Sequence, residues 1–286
     1  MTLVVGHPAD LEERGDAHLL LAAMLARTAG DDVVVATVTA RGFPDPRADR
    51  EYRTWVAEVA RSRQGRAAHA LRTAGVGEVR TVAVEAPSVP AGLVTVVTQV
   101  GGSLLVLGRD GAVPEHLLRS SPVPLALAAR AGSPGGRVTR VTCTWAGTDR
   151  SRAALAWATR AAAAWAVPLR LVTFAPDRDP LLPSETGLHV EREVSSAWAR
   201  QAQAELDAVA ARLPGTTATR VARGSGWPGA VSAAGWSDGD LLVVGSSRLG
   251  PLARVFLGST ATRIVRAAPV PVVVVPRGTE DTPGRG

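Results

Sequence analysis

The segment from Gly245 to Thr260 carries the residues whose types and spacing are best suited to chemistry. It follows an apolar run, is rich in Gly and Ser, and leads into a stretch with helical spacing. Glycines let backbone N–H groups approach an anion closely, and a helix N-terminus adds a favourable dipole. Ser259 or Thr260 could cap that helix and donate to a phosphate. The segment predicts an anion cradle, although any tight turn after a strand uses the same residue types.

The elements that must position this segment are runs of Val and Leu that alternate with amphipathic stretches. Such an alternation indicates a parallel sheet covered by helices on both faces. The handedness of crossover connections favours a doubly wound sheet in each half of the chain. We therefore predict an α/β protein with two tandem doubly wound domains, each a five-stranded parallel sheet with helices on both faces. The apolar runs of the second half lie at residues 138–145, 169–174, 217–222, 241–245 and 270–275.

An internal repeat supports the two domains. The apolar run that ends at Gly108 is echoed by the run that ends at Gly245, an offset of 137 residues. The Pro-Val-Pro that begins at Pro122 is echoed at Pro269, an offset of 147 residues. The first half therefore lacks about ten residues between its fourth and fifth strands. A loop that follows a strand lies at the carboxyl edge of such a sheet, where ligands bind. The halves thus differ where function would reside.

The domain boundaries follow from the same repeat. A segment of small residues and proline, Ala-Gly-Ser-Pro-Gly-Gly, separates the halves and is a flexible linker by composition. We expect one domain over residues 1–131, a second over 137–277 and a flexible tail over 278–286.

Residues 241–276 resemble the C-terminal part of a universal stress protein domain. They combine an apolar strand, Gly-Ser-Ser, Leu-Gly-Ser-Thr at a helix start and a final Pro-Val-Pro-Val-Val-Val-Val. The resemblance covers nearly the whole chain and implies the tandem form of this family, with an adenine nucleotide alpha hydrolase-like fold. ATP-binding members carry Gly, two residues, Gly, nine residues and then Gly followed by Ser or Thr. Gly245, Gly258 and Ser259 match this spacing, whereas Arg248 occupies the second glycine position.

A second departure is the missing Asp that ends the first strand in ATP-binding members. Ala146 holds that position, and Asp149 lies three residues further on. The adenine-facing backbone position corresponds to Phe174, and Gly224 matches the glycine that ends the third strand. Arg248 could pair with phosphates as a charge-assisted donor or fill the cradle with its bulk. The resemblance implies cofactor contacts from Phe174, Gly224, Gly245, Ser246, Ser247, Arg248, Gly250, Gly258, Ser259 and Thr260.

The resemblance implies a non-enzymatic regulatory protein that binds ATP, or else ADP or AMP, in its C-terminal domain. The first half keeps Gly108 but lacks the loop and the Gly-Ser pair, so no ATP site is expected there. The alternative is a nucleotide-independent scaffold for an unknown protein partner, with both sites degenerate. In the family the fifth strands pair antiparallel across a dimer axis. Residues 123–129 and 270–275 could therefore pair within one chain, as a pseudo-dimer that could dimerise further.

Composition excludes several other classes. The net charge of +6 comes from a chain whose 32 basic residues are all Arg, interleaved with acids along predicted helices. This pattern is typical of a solvated face, so no nucleic-acid partner is expected. The single cysteine, Cys143, excludes an internal disulfide, and no apolar run is long enough to span a membrane. We expect a cytoplasmic protein. The five histidines show no ligand-like pairing, so no metal site is expected.

One catalytic pattern occurs in the wrong context. Gly235-Trp236-Ser237-Asp238-Gly239 fits the G-x-S-x-G elbow of serine hydrolases, but that motif requires a turn from a strand into a helix. Here the pattern runs from a predicted helix into a predicted strand. We therefore expect no catalytic residues and no enzyme.

Overall fold

The computed structural model describes residues 2–8, 15–40, 46–109, 116–117, 121–130, 136–177, 185–248, 255–256 and 259–276. Strands and helices alternate along the first half, as its apolar periodicity predicts. Helix caps also follow the sequence: the Ser88 hydroxyl accepts from the Ala91 N–H at 3.4 Å, and Gly101 ends that helix with φ 63°. The elements are β1 (Thr2–Gly6), α1 (Ala17–Ala29), β2 (Asp32–Ala40), α2 (Pro46–Thr73), β3 (Val79–Ala86), α3 (Val89–Val100), β4 (Leu104–Leu107) and β5 (Leu125–Leu127).

The second half follows the same alternation, and a short hairpin precedes its last helix. That hairpin, β10–β11, was not predicted from the sequence. The elements are β6 (Arg140–Thr144), α4 (Asp149–Trp165), β7 (Leu169–Asp177), α5 (Glu185–Ala210), β8 (Ala218–Ser225), α6 (Gly226–Ser232), β9 (Asp240–Gly245), β10 (Ser247–Arg248), β11 (Val255–Phe256), α7 (Ser259–Ala267) and β12 (Val272–Val275).

Ten strands form one sheet in the order β3-β2-β1-β4-β5-β12-β9-β6-β7-β8. Within each half the paired strands are parallel, in the doubly wound order 3-2-1-4-5. Both halves use the same register, since Leu105 pairs with Leu125 and Leu242 pairs with Val272. These pairs are related by the offsets of 137 and 147 residues. The predicted fold class is confirmed.

The seam between the halves is the antiparallel pairing of β5 with β12. Ala126 pairs with Val273, and the pairs on either side are Leu125 with Val274 and Leu127 with Val272. The two strands predicted to pair antiparallel therefore do so. The domain boundaries at 131 and 137 stay predictions, because residues 131–135 lie outside the described part.

The hydrophobic core forms two layers, one on each face of the continuous sheet. Successive residues of a strand point to opposite faces, so Val243 contributes to the layer under α1 and α4, whereas Val244 contributes to the other. That other layer lies under α3, α6 and α7. Both layers include residues of both halves, so the halves share one core. Among the helices that the structure describes, none is long and apolar enough to cross a membrane.

Candidate functional site

The predicted site lies at the carboxyl edge of the second half, where β9 ends. Gly245 is the last residue of β9 and pairs with Val275 of β12. The next residue, Ser246, extends the ladder, because its N–H donates to the Val275 carbonyl oxygen at 3.0 Å. The start of the predicted phosphate loop is therefore hydrogen-bonded to β12.

The hydroxyl of Ser246 is buried. The residue is 0% exposed, and among the described residues its Oγ has no hydrogen-bond partner. The alternation of side chains puts Ser246 on the same face as Val244, where Ile264 and Val265 of α7 pack. A buried hydroxyl without a partner costs about 1–3 kcal/mol, so a bound group that hydrogen-bonds to it would be stabilised.

The hairpin β10–β11 follows at once. Ser247 pairs with Phe256 and Arg248 pairs with Val255, in antiparallel register. Arg248 occupies the family's second glycine position, and its backbone therefore pairs with β11. Gly250 and Gly258 lie outside the described residues, so their predicted contacts stay predictions.

Helix α7 begins at Ser259, and both Ser259 and Thr260 are exposed. The two residues therefore lie at the start of the helix, and the capping role expected of one of them stays a prediction. First-turn N–H groups have no partner within a helix, so they are available to an anion at this end.

The loop after β6 satisfies its own polar groups. The exposed Ala146 donates its N–H to the Ser151 hydroxyl at 3.0 Å, and Thr148 caps α4 by accepting from the Ser151 N–H at 3.4 Å. Asp149 forms an ion pair with Arg152 on the same helix, and its side chain is 69% exposed. The carboxylate nearest to the position of the missing Asp thus has a partner elsewhere.

Packing accounts for the residue types at Phe174 and Gly224. Phe174 is 8% exposed and belongs to the core, and its register partner is Ala222 of β8. Its side chain is therefore committed to packing. A Cβ on Gly224 would lie 2.4 Å from the Gly229 carbonyl carbon, so α6 approaches β8 too closely for any side chain. Packing alone requires this glycine.

The G-x-S-x-G pattern lies at the opposite, amino edge, between α6 and β9. There Asp240 is 1% exposed and accepts from Arg140 at 2.8 and 2.5 Å and from the Ser237 N–H at 2.9 Å. The Arg170 guanidinium lies 3.9 Å from the same carboxylate and 5.3 Å from the Trp236 ring centroid. Burial, followed by the charge of Arg140, lowers the pKa of Arg170. The cluster is a structural ion network, and sequence reasoning missed it.

The carboxyl edge of the first half contains a histidine pair that was also missed. His7 Nδ1 and His18 Nε2 are 2.9 Å apart, and the two rings are stacked. Burial, followed by the charge of His7, lowers the pKa of His18 to about 4. The two residues lie 11 positions apart in the chain, a separation without ligand-like spacing. In the part of the chain that the structure describes, no group of three or more His, Cys, Asp or Glu residues could hold a metal ion.

The single cysteine of the chain is unreactive. Cys143 of β6 is fully buried, and burial raises the pKa of its thiol.

Comparison with known proteins decides the family. The family model described as "Universal stress protein family" matches residues 138–276. A universal stress protein of Mycobacterium tuberculosis (strain H37Rv) is 37% identical over 295 residues, which cover 96% of this chain and 100% of that protein. A universal stress protein of Mycobacterium bovis shows the same figures. The chain belongs to the universal stress protein family.

Solved structures of other universal stress proteins share the fold. One from Archaeoglobus fulgidus has a TM-score of 0.63 at 17% identity and covers 96% of this chain and 98% of its own. A putative universal stress protein from Pseudomonas aeruginosa has a TM-score of 0.54 at 16% identity, with 96% and 92% covered. The full-length matches fit the tandem arrangement of two universal stress protein domains in this chain.

Proposed function

We propose that this universal stress protein is a cytoplasmic regulator that binds ATP, or another adenine nucleotide, non-enzymatically at the carboxyl edge of its second half. The observation that carries the proposal is Ser246. Its hydroxyl is buried next to the layer under α7 and has no partner among the described residues. A phosphate oxygen would accept from this hydroxyl, which removes the cost of leaving it unpaired.

The end of α7 supplies the second contribution. Its N-terminus is exposed at Ser259 and Thr260, and the first-turn N–H groups together with the helix dipole favour an anion. The loop that joins Ser246 to Ser259 contains the hairpin and the family's glycine spacing. The nucleotide phosphates would thus lie between a hydroxyl on the sheet and the start of a helix.

The specific observation that favours the alternative, a nucleotide-independent scaffold, concerns the nucleoside end. Ala146 replaces the family's Asp, and Asp149 is ion-paired with Arg152. Loss of that carboxylate weakens ribose recognition without touching the phosphate loop. The two candidates therefore differ in whether measurable nucleotide affinity survives.

Isothermal titration with ATP, ADP and AMP distinguishes them. We expect saturable binding that Gly258→Arg abolishes and Ser246→Ala weakens. The matched control is Gly77→Arg, which introduces the same side chain at an exposed position before β3, where an added Cβ meets nothing within 4 Å. Absence of binding at millimolar nucleotide would rule out the regulator and leave the scaffold. ATP turnover well above background would contradict the non-enzymatic role.

We also propose that the β5–β12 seam makes the chain an intramolecular pseudo-dimer. The pairing is centred on Ala126 and Val273, which are equivalent positions of the repeat at an offset of 147 residues. A rotation that exchanges the two halves therefore maps the seam onto itself. Covalent linkage would make dimerisation independent of protein concentration, and a mass that requires two chains with exchanged halves would contradict it.

A further inference from the structure

Arg109 reaches from the first half into the second. It follows Gly108 at the end of β4, and its guanidinium donates Nε–H to the Ala128 carbonyl oxygen at 2.7 Å. From the same group, Nη1 donates to Ala268 at 2.7 Å and Val265 at 3.1 Å, and Nη2 donates to Val270 at 2.8 Å. One side chain thus binds carbonyl oxygens of both halves.

The antiparallel pairing of β5 with β12 explains how Arg109 contacts the second half. Leu127 pairs with Val272, so the carboxyl end of β5 lies beside the amino end of β12. The connection from α7 into β12 therefore passes next to Ala128, within range of a residue that follows β4. A planar guanidinium with its several donors suits a cluster of carbonyl oxygens better than a lysine would.

One of these contacts satisfies a carbonyl group at the C-terminal end of α7, and the other two hold the chain that leaves it. Val265 lies in the last turn of α7, and the last four carbonyl groups of a helix have no partner within it. Val265, Ala268 and Val270 are all 9% exposed or less, so water does not replace the guanidinium easily. A cation at this end also interacts favourably with the helix dipole.

The other end of α7 is the proposed phosphate site. Ser259 begins the helix and Arg266 lies in its last turn, so the rise along the helix separates the two ends by about 10 Å. We propose that Arg109 is a positioning residue for this site, and this inference rests on the proposed nucleotide function. By holding the C-terminal end of α7 against the seam, Arg109 fixes where the N–H groups at the other end of the helix point.

The repeat shows that this role belongs to one half. The residue 137 positions after Arg109 is Ser246, whose buried hydroxyl carries the proposed function. The same position of the repeat thus supplies a cross-seam arginine in the first half and a site residue in the second. The first half, which is not expected to bind ATP itself, would complete the site of the second.

The test compares Arg109→Ala with Arg27→Ala. Arg27 also makes contacts outside its own half, because its guanidinium donates to the carbonyl oxygen of Gly136 in the linker at 3.1 and 2.5 Å, but it lies on α1, across the sheet from α7. Affinities for ATP and for adenosine are measured by titration and ligand-observed NMR, at a temperature where circular dichroism shows both variants folded. Arg109→Lys, which keeps the charge but loses the planar fork, serves if Arg109→Ala does not fold.

We expect Arg109→Ala to weaken ATP binding about tenfold or more, and Arg109→Lys to weaken it less. Adenosine affinity should change less than about twofold, because adenosine has no phosphate for α7 to bind. An ATP affinity equal to that of the unchanged protein, or an equal loss in Arg27→Ala, would overturn the inference while leaving the proposed function intact. If the unchanged protein itself binds no ATP, the proposed function fails first.

Discussion

Ala126 and Val273 face each other at the centre of the seam, and both are completely buried. Their register makes the sheet continuous across the two halves. An ionised side chain at this point has neither water nor a partner. We expect Val273→Asp to lower the free energy of unfolding by at least about 3 kcal/mol. Urea denaturation measures this, with Val89→Asp on the exposed start of α3 as the control (Val89 is 41% exposed). Equal losses in the free energy of unfolding for the two variants would contradict a contribution of the seam to stability.

His18 makes stability depend on pH. Its pKa is lowered from 6.5 to about 4, so the folded state binds fewer protons than the unfolded state between these values. The contribution is fully present above pH 6.5 and is lost as the pH falls toward 4. We expect the free energy of unfolding to drop by about 2 kcal/mol between about pH 7.5 and about pH 5. Urea denaturation at both pH values measures this drop. We expect His18→Leu to remove most of it, and His69→Gln, a change at an exposed histidine, to keep it.

Gly224 tests packing between β8 and α6. An added Cβ would lie 2.4 Å from the backbone of Gly229, so either the helix or the strand must move. We expect Gly224→Ala to destabilise the protein by about 1–3 kcal/mol. Gly65→Ala in α2 is the matched control, since a Cβ there meets nothing within 4 Å and alanine favours a helix, which predicts a gain of about 0.5–1 kcal/mol. If Gly224→Ala left the melting temperature unchanged, α6 could shift away from β8 at little cost in stability.

Asp240 tests the ion network at the amino edge. Asp240→Ala removes the partner of Arg140 and leaves the buried Arg170 beside an unpaired arginine. We expect a loss of about 3–5 kcal/mol in the free energy of unfolding. Asp177→Ala breaks the surface pair with Arg223, whose side chains are 48% and 38% exposed, and should cost about 0–1 kcal/mol. Similar costs for the two variants in urea denaturation would contradict the buried network.

Much of the fold follows from local pattern. Runs of Val and Leu identify the strands, and the two repeat offsets reproduce the register of β4 with β5 and of β9 with β12. The motif spacing also identifies the loop after Gly245. The hairpin at Ser247 and Arg248 was not predicted, because strands of two residues have no periodicity to detect.

The amino-acid sequence by itself determined the family, the alternation of strands and helices and the loop that carries the proposed site, because these depend on residues close together in the chain. Only the tertiary structure decided which side chains meet. Arg109 contacts Val270 because the strand order brings residues 161 positions apart together, and His7 contacts His18 because α1 packs back against the end of β1. Neither contact leaves a periodic signal, since each depends on how whole elements pack against one another.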